Sequence, residues 1–218
     1  PMDSWVVYKT DGIFNTQEEI DNTEATLSGT KPGDIKYVDV NGDGEITGDD
    51  MVRRYTSQTP KIQFGFNTGL EYKGFKLSAF WQGQAKAENF IAHIRGAHSN
   101  LPEYLFTKRW TENNKDADYP RAYEREDYYN YRMSEFWLYN ASFIRLKNLT
   151  LSYNLPSEML SNSAFNSVRV YVKGSNLWTL DYISQRTGGD YYDPEMSNAE
   201  GKYYPQQTVI TAGININL

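Results

Sequence analysis

From Ile62 to Tyr72 the chain reads IQFGFNTGLEY, a strict alternation that constrains the fold more than any other stretch. A strand sends successive side chains to opposite sides, so Ile62, Phe64, Phe66, Thr68, Leu70 and Tyr72 share one side. Gln63, Gly65, Asn67, Gly69 and Glu71 share the other, which is polar and small. A tight turn at Lys73-Gly74 leads into FKLSAFWQGQ, where Phe75, Leu77, Ala79 and Trp81 continue the apolar side, giving a hairpin of two long strands. Tyr72, Phe75 and Trp81 stand near strand ends, where an interfacial girdle would put aromatic rings.

The same period returns three times. LTLSYNL sets Leu149, Leu151, Tyr153 and Leu155 against Thr150, Ser152 and Asn154, and SVRVYVKGSN sets Val168, Val170 and Val172 against Arg169, Tyr171 and Lys173. The final VITAGININL sets Ile210, Ala212, Ile214, Ile216 and Leu218 against Thr211, Gly213, Asn215 and Asn217. With WVVYK at 5 to 9 counted, about six strands are expected. Their connections alternate: short after Tyr72 and Leu155, long and polar over 11 to 60, 85 to 140 and 180 to 206. Short turns at one end and long loops at the other are the topology of a transmembrane barrel with extracellular loops and a periplasmic C-terminus.

Composition narrows the partners. A net charge of −6 over 218 residues argues against nucleic acid, whose phosphates require a basic face. The absence of cysteine removes disulfides and thiolate metal sites. No stretch of eighteen apolar residues suggests a spanning helix, and the opening PMDSWVVYKTDG lacks the regions of a signal peptide. Eighteen Tyr, 10 Phe and 5 Trp accompany a mean hydropathy of −0.70, so the chain is aromatic without being greasy. That combination suits an outer-membrane barrel or a carbohydrate-binding sandwich.

One loop carries a metal-type spacing. In DVNGDGEITGDD, counted from Asp39, oxygen donors stand at positions one, three and five (Asp39, Asn41, Asp43), Gly44 is sixth, Glu45 offers its carbonyl at the seventh, and Asp50 is twelfth. A hard cation such as calcium takes six to eight oxygens on a tightly turned chain, which this pattern can supply. Asp50 is shorter than the bidentate glutamate usual at that place, as in dockerin-like loops. The same residues also favour a metal-free Asx-turn loop.

Elsewhere in the connections, SNLPEYLFTKRW has Leu101, Leu105 and Phe106 at helical spacing, with Pro102 at a first-turn position and Ser99 or Asn100 as cap. The tyrosine-rich stretches 113–132 and 188–205 have no period and read as surface loops. Catalysis has little support: His93 and His98 are the only histidines, five apart, and the acidic pair Glu124 and Glu126 sits in a solvated charged loop.

The run PGDIKYVDVNGDGEITGDD followed by PKIQFGFNTGLEYKGFKLSAFWQG, then NLPEYLFTKRW, ADYPRAY, FWLYNASFIRLKNLTLSYNLP, VRVYVKGSNLWTL, YYDPE and TAGININL, resembles the C-terminal part of the SusC/RagA-type TonB-dependent outer-membrane transporters of Bacteroidota. The resemblance covers nearly the whole chain. It implies an all-β fold: antiparallel strands forming part of a barrel of about 22 strands, whose plug domain is absent from this chain. It further implies import of oligosaccharides or oligopeptides, a SusD-like lipoprotein as lid, contact with outer-membrane lipid, and drive from TonB through a part of the polypeptide outside this chain. Leu218 stands where such barrels more often end in an aromatic residue.

Aromatic side chains in extracellular loops are the candidates for substrate contact, because flat amphipathic rings stack on sugars and peptide side chains. Tyr128, Tyr129, Tyr131, Tyr191 and Tyr192 are named on that ground, against the plainer reading of loop-packing tyrosines. The rival fold is a soluble, secreted all-β carbohydrate-binding module with a dockerin-like calcium loop. The two differ in where Phe64, Phe66, Leu70, Leu77, Trp81, Leu151, Val170, Ile214 and Ile216 point: outward to lipid in a barrel, or inward between two sheets.

Overall fold

In the computed structural model, residues 3–92, 102–122, 129–161, 163–196 and 206–218 are described. In chain order the elements are β1 (Val6–Tyr8), β2 (Thr10–Ile13), α1 (Gln17–Asp21), β3 (Ile35–Tyr37), β4 (Met51–Arg53), β5 (Ile62–Tyr72), β6 (Phe75–Ala85) and β7 (Glu88–Phe90). They continue with α2 (Glu103–Thr107), β8 (Leu138–Asn140), β9 (Phe143–Asn154), α3 (Ser157–Leu160), β10 (Ser167–Asp181), α4 (Tyr182–Thr187) and β11 (Val209–Asn217).

The five long strands make one antiparallel sheet in the order β11-β10-β9-β6-β5. The hairpin turn between β5 and β6 places both Lys73 and Gly74 at positive φ, the geometry whose twist matches that of flanking strands. The expected sixth strand is not in this sheet. WVVYK contributes only β1, which pairs with β4 in a separate two-stranded sheet, and Val7 at its centre is fully buried. With three paired residues and backbone bonds from Trp5 to Thr56 and from Tyr8 to Met133, it is held by the connections instead.

The register confirms the alternation across all five strands. Leu70 faces Leu77, Leu77 faces Leu151, Leu151 faces Val172, and Val172 faces Ala212, all on one side. That side is open: Phe64, Phe66, Leu70, Leu77, Leu151, Val170, Ile214 and Ile216 are exposed. No second sheet covers them among the described residues, so the sandwich alternative fails on its own criterion. Ten residue steps from Ile62 to Tyr72 give about 34 Å along a strand, or about 26 Å of height at a tilt of about 40°, which matches a membrane's apolar band. Aromatic rings mark the short-turn limit, where Phe75 packs on Tyr153 at 4.5 Å. Trp81, expected near a strand end, instead lies close to the middle of β6, where it stacks on Phe66 at 6.0 Å and meets Trp178 edge-on at 6.3 Å.

One irregularity keeps the sides in step. Along β9 the apolar residues change parity, from Leu149, Leu151 and Tyr153 to Ile144 and Leu146. The pairing shifts where Phe80 faces Asn148 and Trp81 faces Leu146, leaving Lys147 as the extra residue. A one-residue slip would otherwise send Ile144 and Leu146 to the polar side. β10 answers with its own extra residues at Asn176 and Leu177, Asn176 taking a positive φ.

The hydrophobic core lies elsewhere. Among the described residues every buried large apolar side chain except Val7 and Phe143 belongs to the long connections, most of them in a cluster that includes Ile35, Tyr37, Ile91, Tyr104, Tyr119, Trp137, Tyr139, Ile183, Tyr192 and Met196. The stretches expected to be surface loops therefore contribute core residues: Tyr119 and Asn130 from 113–132, and Tyr192 and Met196 from 188–205, are buried. The short helix expected near residue 100 is α2, with Pro102 at its N-cap and no side-chain capping bond; Ser99 and Asn100 lie outside the described residues.

Candidate functional site

The three long connections meet above the sheet as one packed loop body. Its first cross-link is polar. Asp34, fully buried, accepts from Arg121 Nε at 2.6 Å and from Asn130 Nδ2 at 3.0 Å. Asn130 in turn accepts from the Ile35 backbone N–H at 2.8 Å, and its carbonyl accepts from Trp137 Nε1 at 2.6 Å. A buried carboxylate is tolerable only with partners of this kind. Gly33 is obligatory here, since its φ is +92° and a Cβ would lie 2.5 Å from the Trp110 ring. The third connection joins through Arg186, which donates to the carbonyls of Leu138 and Phe136 and lies over the Tyr139 ring at 4.2 Å.

Three phenols sit close together inside this body. Burial, foremost, pushes the Tyr104, Tyr119 and Tyr139 hydroxyls above the usual phenol range, with neighbouring phenols adding to the shift. They are packing residues that stay neutral, with no catalytic arrangement around them.

One fastening of the body to the sheet centres on Arg145. Arg145, on the polar side of β9, has its guanidinium closed off between Asp193 and Glu195, each at 2.7 Å, while its Nε donates to Thr179. Gln82 donates to Glu195, Gln84 to the carbonyls of Ala141 and Pro194, and Asn89 to those of Pro194 and Met196. The DPEM segment is thus strapped over the polar side of the sheet, the side that would line a lumen. Sequence reading missed this constellation, although an arginine at a polar-side position of a strand was its visible signal.

The sequence candidates fall into different environments. Tyr129 is half-buried and its hydroxyl donates to the Leu27 carbonyl. Tyr131 stacks on Trp137 at 5.4 Å, and Tyr192 is buried, its hydroxyl 3.4 Å from that of Tyr104. Tyr191 alone of the described four keeps an exposed ring, packed on one side by Tyr104 at 5.0 Å. Tyr128, like His93, His98, Glu124 and Glu126, lies outside the described residues.

The metal-type loop turns on its own amides. Asp39 accepts from Gly42 and Gly44, Asn41 from Asp43, and Asp43 from Glu45. Asp50 is buried and accepts from Thr47, Val40 and Asn41. These N–H bonds, that of Thr47 first, hold its carboxyl below the usual carboxylate range. Among the described residues no three acidic or imidazole groups converge as a ready metal cage. The hard oxygens have lone pairs beyond those their amides use, so the residues fit a calcium ion in chemistry.

No family model matches the chain. Among curated proteins it is similar to TonB-dependent receptor P3 of Formosa agariphila, 30% identical over 98% of this chain and 22% of the relative. Receptor P26 of the same organism is 32% identical over 94% and 21%, and TonB-dependent receptor SusC of Bacteroides thetaiotaomicron 25% over 85% and 18%. Among solved structures it is similar to the RagAB peptide transporter, with a TM-score of 0.69 at 24% identity over 98% of this chain and 22% of that one. The RagAB peptide importer in its open-open state gives 0.68 at 25% identity. The chain spans about a fifth of the length of the relatives it matches. With their ordered motifs and their barrel architecture, this chain belongs to the SusC/RagA type of TonB-dependent receptors, of which it is a C-terminal portion of the barrel.

Proposed function

We propose that the receptor containing this chain imports an oligosaccharide or oligopeptide across the outer membrane, driven by TonB and served by a SusD-like lipoprotein seated on its loop body. The observation that carries this reading is the division of apolar surface: a five-stranded sheet exposes its apolar side while the loops hold the core. An exposed apolar side of membrane height needs lipid, and a rigid loop body gives a lid something to dock on. The named relatives are receptors and transporters, so binding and passage rather than bond cleavage are the expected chemistry. Long loops face outward and the C-terminus faces the periplasm in this arrangement.

Within the loop body, Tyr191 is the described candidate for substrate contact, since its ring is exposed where Tyr129 and Tyr131 are half-buried and Tyr192 is buried. Asp39, Asn41, Asp43, Glu45 and Asp50 hold a structural calcium ion that staples the first connection and offsets part of its ordering entropy. The test of import is growth of a strain lacking the receptor on defined oligosaccharides or oligopeptides as sole carbon source. Loss on one class identifies the cargo, and unchanged growth on both overturns the proposal. For the ion, chelation of the purified receptor is expected to increase protease cleavage within 39–50, and unchanged cleavage removes calcium from the account.

A further inference from the structure

At the loop end of the sheet, one row crosses four strands on the apolar side: Phe64 faces Gly83, Gly83 faces Ile144, and Ile144 faces Leu180. Glycine at the second place lets the Phe64 ring lie down on β6, since a Cβ there would come only 2.3 Å from that ring. The loop body overhangs this row and closes a groove of about 690 Å³. Phe64, Ile144 and Leu180 line its membrane end, and Lys86, Tyr182 and Gln185 line it at the water end.

We infer that this groove binds a membrane lipid with an anionic headgroup in the loop-side leaflet. The floor continues the side that faces lipid, so acyl chains reach it without leaving the bilayer. The charges at the rim are unequal in availability. Glu88 is engaged by Arg54 and Thr56, and Asp181 caps α4 by accepting from Ser184. Lys86 is exposed and makes no ion pair among the described residues. An ammonium at the membrane surface, lining the same groove as Tyr182 and Gln185, selects a negative headgroup over a zwitterionic one. This inference rests on the barrel fold and is independent of which cargo is imported.

The test uses the full-length receptor in nanodiscs of phosphatidylethanolamine and phosphatidylglycerol, with a photoreactive residue replacing Gln185. Crosslinked lipid is identified by mass spectrometry. Phosphatidylglycerol is expected about fivefold above its bulk share, the preference that one basic side chain near the surface supplies. Lys86→Glu should return the ratio to bulk, and Ile144→Trp, which fills the groove while keeping the side apolar, should suppress lipid crosslinking in receptor that still shows heat-modifiable mobility on gels. A native ratio equal to bulk, no lipid crosslink at all, or an unchanged preference in Lys86→Glu overturns the inference. Because import is not measured, a failure here leaves the transport proposal standing and vice versa.

Discussion

Arg145 is almost fully enclosed, and Asp193 and Glu195 reach it from the 190–196 segment. Removing one partner of such a pair strands the others, at a cost of about 3–5 kcal/mol. Arg145→Met in the full-length receptor is therefore expected to release residues 190–196, read as faster hydrogen exchange there with little change in β9. Arg145→Lys should rescue poorly, because one ammonium cannot serve two carboxylates and Thr179 in a fixed fork. Asp50 gives a second prediction, this time in pH. Its carboxyl is depressed by the amides it accepts from, so its contribution is complete above the unfolded value of about 3.9 and fades as pH falls through the lower folded value. Amide protection at Val40 and Thr47 should hold from neutrality to about pH 4 and be lost below it, and Asp50→Ala should remove it at every pH. Protection in Asp50→Ala equal to that of the parent would refute the role.

At the scale of the element, neighbours on one strand meet opposite solvents. Ser78 and Ala79 are adjacent on β6, Ser78 toward the polar side opposite Thr150 and Ala79 toward lipid opposite Leu149. Ala79→Arg is expected to destabilise the barrel by about 2–4 kcal/mol, and Ser78→Arg by less than about 1 kcal/mol. Denaturant titration of the receptor folded into vesicles measures both, and equal costs would mean that the sheet does not face lipid on one side only. This much of the fold was legible in the sequence because side-chain direction in a strand has a period of two, and β5, β6 and β11 follow it without a break. Even the Lys147 step is visible in IRLKNLTL as a change of parity. WVVYK misled because three alternating residues serve any two-stranded pairing equally well. Arg145 was hidden for a different reason: its partners are 48 and 50 residues away in a loop without periodicity.

The molecule as a whole carries two kinds of order that rest on different environments. The sheet has its apolar side turned outward and depends on lipid, whereas the loop body has its own core and depends on aromatic packing. Tyrosines at 129, 131 and 192 looked like binding residues from sequence because nothing local distinguishes a ring that meets a sugar from one that meets Trp137 or Tyr104. Burial of that kind is decided by contacts such as Asn130 to Ile35, 95 residues apart. Trp137 is the place where the two halves of the argument separate. It is 1% exposed, packs against Tyr119, Tyr131 and Phe136, and donates to the backbone carbonyl of Asn130, whose side-chain amide donates to Asp34. Truncating it to alanine removes a large buried ring and one buried bond, for which about 3–5 kcal/mol is the expected loss. If the loop body is one cooperative unit, Trp137→Ala should raise hydrogen exchange together in 35–37, 104–110 and 183–192, three segments from three connections, while the five long strands β5, β6, β9, β10 and β11 stay protected by the bilayer. Loosening confined to the neighbours of residue 137 would show that the connections fold separately. Equal loosening of the long strands would show that the sheet leans on the loops for its stability. A uniform response in the loops alone is the result expected of a loop body that folds as one unit on a sheet held by lipid.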